Sequence, residues 1–147
     1  MGRWLGIDHG TKRMGIAAGS TSDGIASPVA VVPAEPIAEA HDRIRQLADD
    51  YSVEGVVVGW PLNMDGSQGP QALLARQMAR GLAEATALDV RLWDERLSSF
   101  AADEALAGTY TRKKKKARQD AVAAAAILSD FLANDGPANA PRPDDDT

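Results

Sequence analysis

The chain of 147 residues contains no cysteine, which excludes disulfides, thiolate metal sites and a cysteine nucleophile. Histidine is nearly absent too, with only His9 and His41. A catalytic metal would therefore be held mainly by oxygen, which suits magnesium or manganese better than zinc. Aromatic residues make up 5% of the sequence, too few for a surface that stacks many bases on aromatic platforms. Long apolar runs are missing as well. The longest, AVAAAAIL at 121–128, falls far short of a membrane span. Asp8 interrupts the first apolar run before it can serve as a secretory signal. The expected compartment is the cytoplasm, with no membrane partner.

What is present suits one globular domain. The length supports a sizeable core, and 44% hydrophobic with 25% charged residues is ordinary for such a domain. The net charge of -5 argues superficially against a polyanionic partner. Its placement reverses that impression, because Asp135, Asp144, Asp145 and Asp146 against Arg142 put -3 of it beyond residue 134.

Apolar runs at 3–7 and 14–18 flank the turn-rich DHGTKR, which predicts a β-hairpin. IASPVAVV at 25–32 predicts a third strand, and Ile37, Ile44, Leu47 and Tyr51 recur at helical spacing within 37–51. VEGVVVG at 53–59 reads as a strand buried on both faces. After the loop WPLNMDGSQG, Pro70 opens a helix whose predicted stripe is Leu73, Leu74, Gln77, Met78, Gly81 and Leu82. VRLW at 90–93 predicts the last strand, followed by a short helix near 98–107, a basic loop TYTRKKKKAR and a final helix over 117–133. The Pro-rich, acidic residues 135–147 are expected to be a disordered tail. The order implies a single α/β domain over 1–134. A three-strand meander plus two parallel strands makes a five-stranded mixed sheet flanked by helices.

Three acids stand where a surface role is strained. Asp8 ends the first strand, Glu95 follows the last, and Asp120 begins the apolar stripe 120, 124, 127 and 131 of the final helix. Parallel neighbours present their carboxyl ends on one rim, so Asp8 and Glu95 share it if their strands are close, and Asp120 reaches it from the covering helix. Two such charges ~5 Å apart cost roughly 3 kcal/mol at an effective dielectric near 20, and a divalent cation turns that repulsion into binding. Taken singly, each has an ordinary explanation as a turn former, an ion-pair partner or a helix-start acid.

The stretches GIDHGTKRMGIA (6–17), VVVGWPLNMDGSQG (56–69), DERLSS (94–99) and QDAVAAAAIL (119–128) resemble the YqgF-type (RuvX) proteins. These are named for pre-16S rRNA cleavage and are related to Holliday-junction resolvases. The resemblance spans nearly the whole domain and leaves out the tail. It implies an RNase H-like fold and phosphodiester hydrolysis by a carboxylate triad, Asp8, Glu95 and Asp120, holding one or two Mg2+ or Mn2+ ions. Such metals would orient the scissile phosphate and activate a water, so no protein nucleophile is needed. Ser98 and Ser99 have no partner histidine in the sequence.

The run Arg112, Lys113, Lys114, Lys115, Lys116 and Arg118 supplies a cationic surface at a helix start, where the dipole disfavours cations and a phosphate backbone would relieve the repulsion. Lys12 and Arg13 beside Asp8 are further phosphate contacts. Trp60 and Asn63 are candidate substrate contacts on the rim, with core packing the alternative for Trp60; His9 is expected to pack or stay exposed. The expected function is 5′-end maturation of pre-16S rRNA, with branched DNA as the alternative substrate and a monomer or homodimer as the acting form. Two other classes remain. One is a non-catalytic nucleic-acid-binding module. The other is an actin-like phosphate-binding ATPase or sugar-kinase relative, which needs two such domains where this length supplies one.

Overall fold

The computed structural model describes residues 2–97 and 112–144, with the backbone alone for 97 and 112–119. β1 (Arg3–His9), β2 (Arg13–Ser20) and β3 (Ala26–Pro33) form an antiparallel meander. α1 (Ile37–Asp50) leads into β4 (Gly55–Trp60), and α2 (Pro70–Thr86) into β5 (Asp89–Asp94). β4 runs parallel to both β1 and β5, giving the sheet order β3-β2-β1-β4-β5. This is the expected five-stranded mixed sheet. A 3-10 turn, Glu95–Leu97, ends β5; α3 (Arg112–Ala133) and a single turn α4 (Gly136–Asn139) complete the described chain.

Strand alternation divides the core into two layers. Leu5 and Ile7 of β1 and Val56 and Val58 of β4 pack with α1 and α2, whereas Trp4 and Val57 face α3. Every residue of β4 is buried, as an interior parallel strand covered on both faces requires. On the α3 side, Phe131 meets Trp4 at 4.9 Å and Trp93 edge-on at 5.7 Å between ring centroids. Glycine sets how closely α3 approaches. A Cβ at Gly6 would stand 2.7 Å from Leu128 Cβ and 2.9 Å from the Ala124 carbonyl oxygen.

Four expectations change. α2 buries Ala72, Ala75, Met78, Ala79 and Leu82, while Leu73 and Leu74 of the predicted stripe are exposed. Small alanines let this helix lie close to β4 and β5, so its buried face follows size more than hydrophobicity. In α1 the inward positions are Ala40, Ile44, Leu47 and Ala48, with Ile37 and Tyr51 exposed. The basic run is helix, not loop, because α3 starts at Arg112: lysine, arginine and alanine are strong helix formers, which outweighs an unfavourable dipole. Residues 135–144 are ordered against the domain, not a free tail. Leu92 N donates to the Pro141 carbonyl at 2.8 Å, and Gly136, Ala140 and Pro143 are buried. The short helix expected near 98–107 lies outside the described residues.

Candidate active site

The site is built from strand ends. Asp8 lies one residue from the end of β1, opposite Gly15 of β2, and alternation turns it to the α3 face shared by Trp4 and Gly6. Two glycines create the space there. A Cβ at Gly15 would collide with the backbone of Asp120, so this position is where α3 touches the sheet beside Asp8. A Cβ at Gly59 of β4 would stand 3.0 Å from Glu95 Oε2 and 2.6 Å from Ile127 Cδ1. The Glu95 carboxyl therefore folds back over β4, between the end of β5 and α3.

The electrostatics are those of a crowded acid. Burial first, then the charge of Asp8, then that of Asp94, push Glu95 from 4.5 up to about 7. No hydrogen bond or ion pair to the Glu95 side chain occurs among the described residues. Asp94 differs. Burial pulls it upward, yet the hydrogen bonds from Arg96 win and hold it below the usual carboxylate range. Arg96 forks onto Asp94, with Nη2 to Oδ2 at 2.7 Å, and donates from Nη1 to the Met64 carbonyl at 2.9 Å. It thereby ties the loop at 61–69 to the end of β5. His9 is half-buried, and burial lowers its pKa against the opposing charge of Glu35.

Asp120 reaches the same end of the sheet but is engaged elsewhere: Arg13 Nε donates to its Oδ2 at 3.0 Å, both side chains being partly exposed. Among the described residues no three imidazole or carboxylate groups stand close enough to hold one ion. The donor set nonetheless fits a hard divalent cation in kind. All its atoms are carboxylate oxygens, and the Asp8–Glu95 repulsion is what such an ion would relieve.

Among the other expected site residues, Lys12 is exposed in the β1–β2 turn, and Arg13 has Asp120 as its partner. Trp60 belongs to the core at 6% exposure, its Nε1 donating to Gln68 Oε1, which corrects its assignment to the substrate rim. Asn63 is exposed and donates to Ser67 Oγ at 3.0 Å. Arg112, Lys113, Lys114, Lys115, Lys116 and Arg118 occupy the first two turns of α3, at the end of the helix that carries Asp120. Sequence reasoning passed over Gly15 and Gly59, and paired Arg96 with Glu95 where the structure pairs it with Asp94. The signal for the glycines was their place in otherwise apolar strands, where a missing side chain marks a close approach.

A cleft of about 660 Å³, lined by Arg3, Ser20, Asp23, Ile25 and Tyr51 among others, opens at the opposite end of the sheet. The acids lie at the other end, where the carboxyl ends of β1, β4 and β5 meet α3.

Comparison with known proteins shows the family. A family described as "RuvX: Holliday junction resolvase" matches residues 2–134. The chain belongs to the RuvX family. A relative from Geobacillus thermodenitrificans is 41% identical over 135 residues, covering 88% of this chain and 96% of that protein. One from Cereibacter sphaeroides is 40% identical over 132 residues, covering 89% and 82%. Both carry the provisional name pre-16S rRNA nuclease. The structure of T. thermophilus RuvC in complex with Holliday junction substrate superposes with a TM-score of 0.60 at 16% identity, covering 97% of this chain and 99% of that one. The fold is thus RuvC-like, of the RNase H-like α/β class. No described helix is long and apolar enough to cross a membrane.

Proposed function

We propose that this RuvX protein is a divalent-metal-dependent nuclease that trims the 5′ end of pre-16S rRNA in the cytoplasm. One observation carries the proposal. Glu95 is half-buried and close enough to Asp8 to feel its charge, with no hydrogen bond or ion pair to its side chain among the described residues. Asp8, Glu95 and Asp120 would hold Mg2+ or Mn2+. Bound there, such an ion supplies charge neutralisation at the scissile phosphate and a water acidified toward neutrality. The protein's own groups bind and orient the polymer: Lys12 is exposed in the turn that follows β1, and the basic first turns of α3 lead into Asp120. Arg13 holds Asp120 in place through its Nε. The names of the relatives favour RNA; the RuvC-like fold keeps branched DNA as the second reading.

The experiment compares a labelled precursor rRNA 5′ leader with a four-way DNA junction, each with Mg2+, Mn2+ or EDTA. Metal-dependent cleavage of the leader in preference to the junction is expected. Preference for the junction selects the second reading. Binding of either without cleavage under any metal rejects nuclease action and leaves a binding module.

A further inference from the structure

The chain beyond the family match, from residue 135, does something the proposed nuclease site does not explain. It crosses the edge of the sheet at β5 and reaches the outer side of α2. Along the way Arg91 Nη1 donates to the Ala140 carbonyl at 2.9 Å and Leu92 N to the Pro141 carbonyl at 2.8 Å. Gly136 packs on the ring of Phe131, and Ala140 is 5% exposed. This part of the strap is firmly seated.

Its end is held differently. Arg76 and Arg80 are one turn apart on α2, so their like charges share one face and repel. Both donate from Nε to the same acceptor, the Pro143 carbonyl, at 2.8 and 3.2 Å. Arg80 also pairs with Asp144 at 3.2 Å, in a contact whose side chains are 46% and 86% exposed. Exposed pairs of this kind contribute little and are screened by salt. Asp145 and Asp146 continue the acidic run in the sequence. A weak anionic tip thus sits on a two-arginine patch, tethered by a well-packed segment. A short tether gives even a weak contact a millimolar effective concentration.

We infer that Arg76 and Arg80 form a second phosphate-backbone contact surface, and that the Pro143 carbonyl and Asp144 occupy it as a tethered competitor of nucleic acid. The partner rests on the proposed nuclease reading, but the competition is a matter of binding alone. Two guanidiniums spaced by one helical turn suit successive phosphates, which bring a full charge to each; the Pro143 carbonyl, shared between them, is a neutral acceptor. The strap therefore raises the affinity a nucleic acid needs before it engages α2.

The test is fluorescence anisotropy of a fluorescein-labelled RNA hairpin with full-length protein in EDTA, where no metal-dependent cleavage interferes. Asp144→Asn/Asp145→Asn/Asp146→Asn is expected to bind about tenfold tighter at low salt, with a salt slope steeper by about two phosphate contacts. Adding Arg76→Gln/Arg80→Gln should cancel that gain. A charge-matched control on α1, Glu39→Gln/Asp49→Asn/Asp50→Asn, should change affinity less than twofold. Four results overturn the inference: unchanged affinity in the triple variant, a gain that survives loss of both arginines, an equal gain in the control, or no binding by any variant. Binding that follows the expected pattern in a protein that never cuts would leave this inference standing and reject the nuclease. Metal-dependent cutting without the pattern would do the reverse.

Discussion

At Glu95, burial and two neighbouring carboxylates act in the same direction, and the consequence for stability has a definite sign. The unfolded chain releases this proton near 4.5, the folded one near 7, so between those values the folded state binds more protons. Stability from this group is therefore lost as pH rises through that window, by ~3 kcal/mol at most. Glu95→Gln should remove the loss: without metal, its urea midpoint should gain on the parent between pH 4.5 and 7.5, while cleavage disappears. A constant difference across that range would show that Glu95 is not crowded. The two glycines separate shape from chemistry. Gly15→Ala drives a Cβ into helix backbone and should cost about 3 kcal/mol or more. Gly59→Ala meets the movable ends of Glu95 and Ile127. It should keep the melting temperature within a few degrees while cutting cleavage at least tenfold, read by thermal melting beside a cleavage assay.

Elements were legible where one periodicity dominated. Apolar runs bounded by turn residues marked all five strands, and the parallel rim that brings Asp8 near Glu95 follows from their order. The buried face of α2 was not legible, because close helix–sheet packing selects alanine and hydrophobicity ranks leucine above it. The partner of Arg13 escaped as well. Asp120 lies far away in sequence, and it is the close approach at Gly15 that brings this end of α3 to β2. Arg96 read as a neighbour of Glu95, yet its guanidinium serves Asp94 and the Met64 carbonyl. Arg96→Ala should therefore release the loop at 61–69, lift Asp94 toward its ordinary range, and speed amide exchange across that loop with little change in the sheet. Hydrogen-exchange mass spectrometry reads both; equal protection in the loop would contradict the clamp.

For the whole molecule, the charge count misled about the tail. An acidic, Pro-rich composition reads as disorder. The structure nonetheless gives its carbonyls donors on β5 and α2 and covers a sheet edge that would otherwise be open to pairing. Deleting residues 135–147 should expose that edge and Phe131 and lower the melting temperature by about 5–10 °C, seen by calorimetry, with the truncated protein more prone to associate. An unchanged melting temperature would mean the strap lends no stability.

The central claim is that Asp8 and Glu95 form the cation-binding core of a nuclease, and one measurement addresses it directly. Cleavage of the rRNA leader is followed with Mn2+ for the parent and for Asp8→Asn, with folding checked by circular dichroism. The account predicts cleavage by the parent that EDTA abolishes, and a loss of at least a hundredfold in the folded variant. Parental rates in Asp8→Asn, or cleavage indifferent to EDTA, would contradict it.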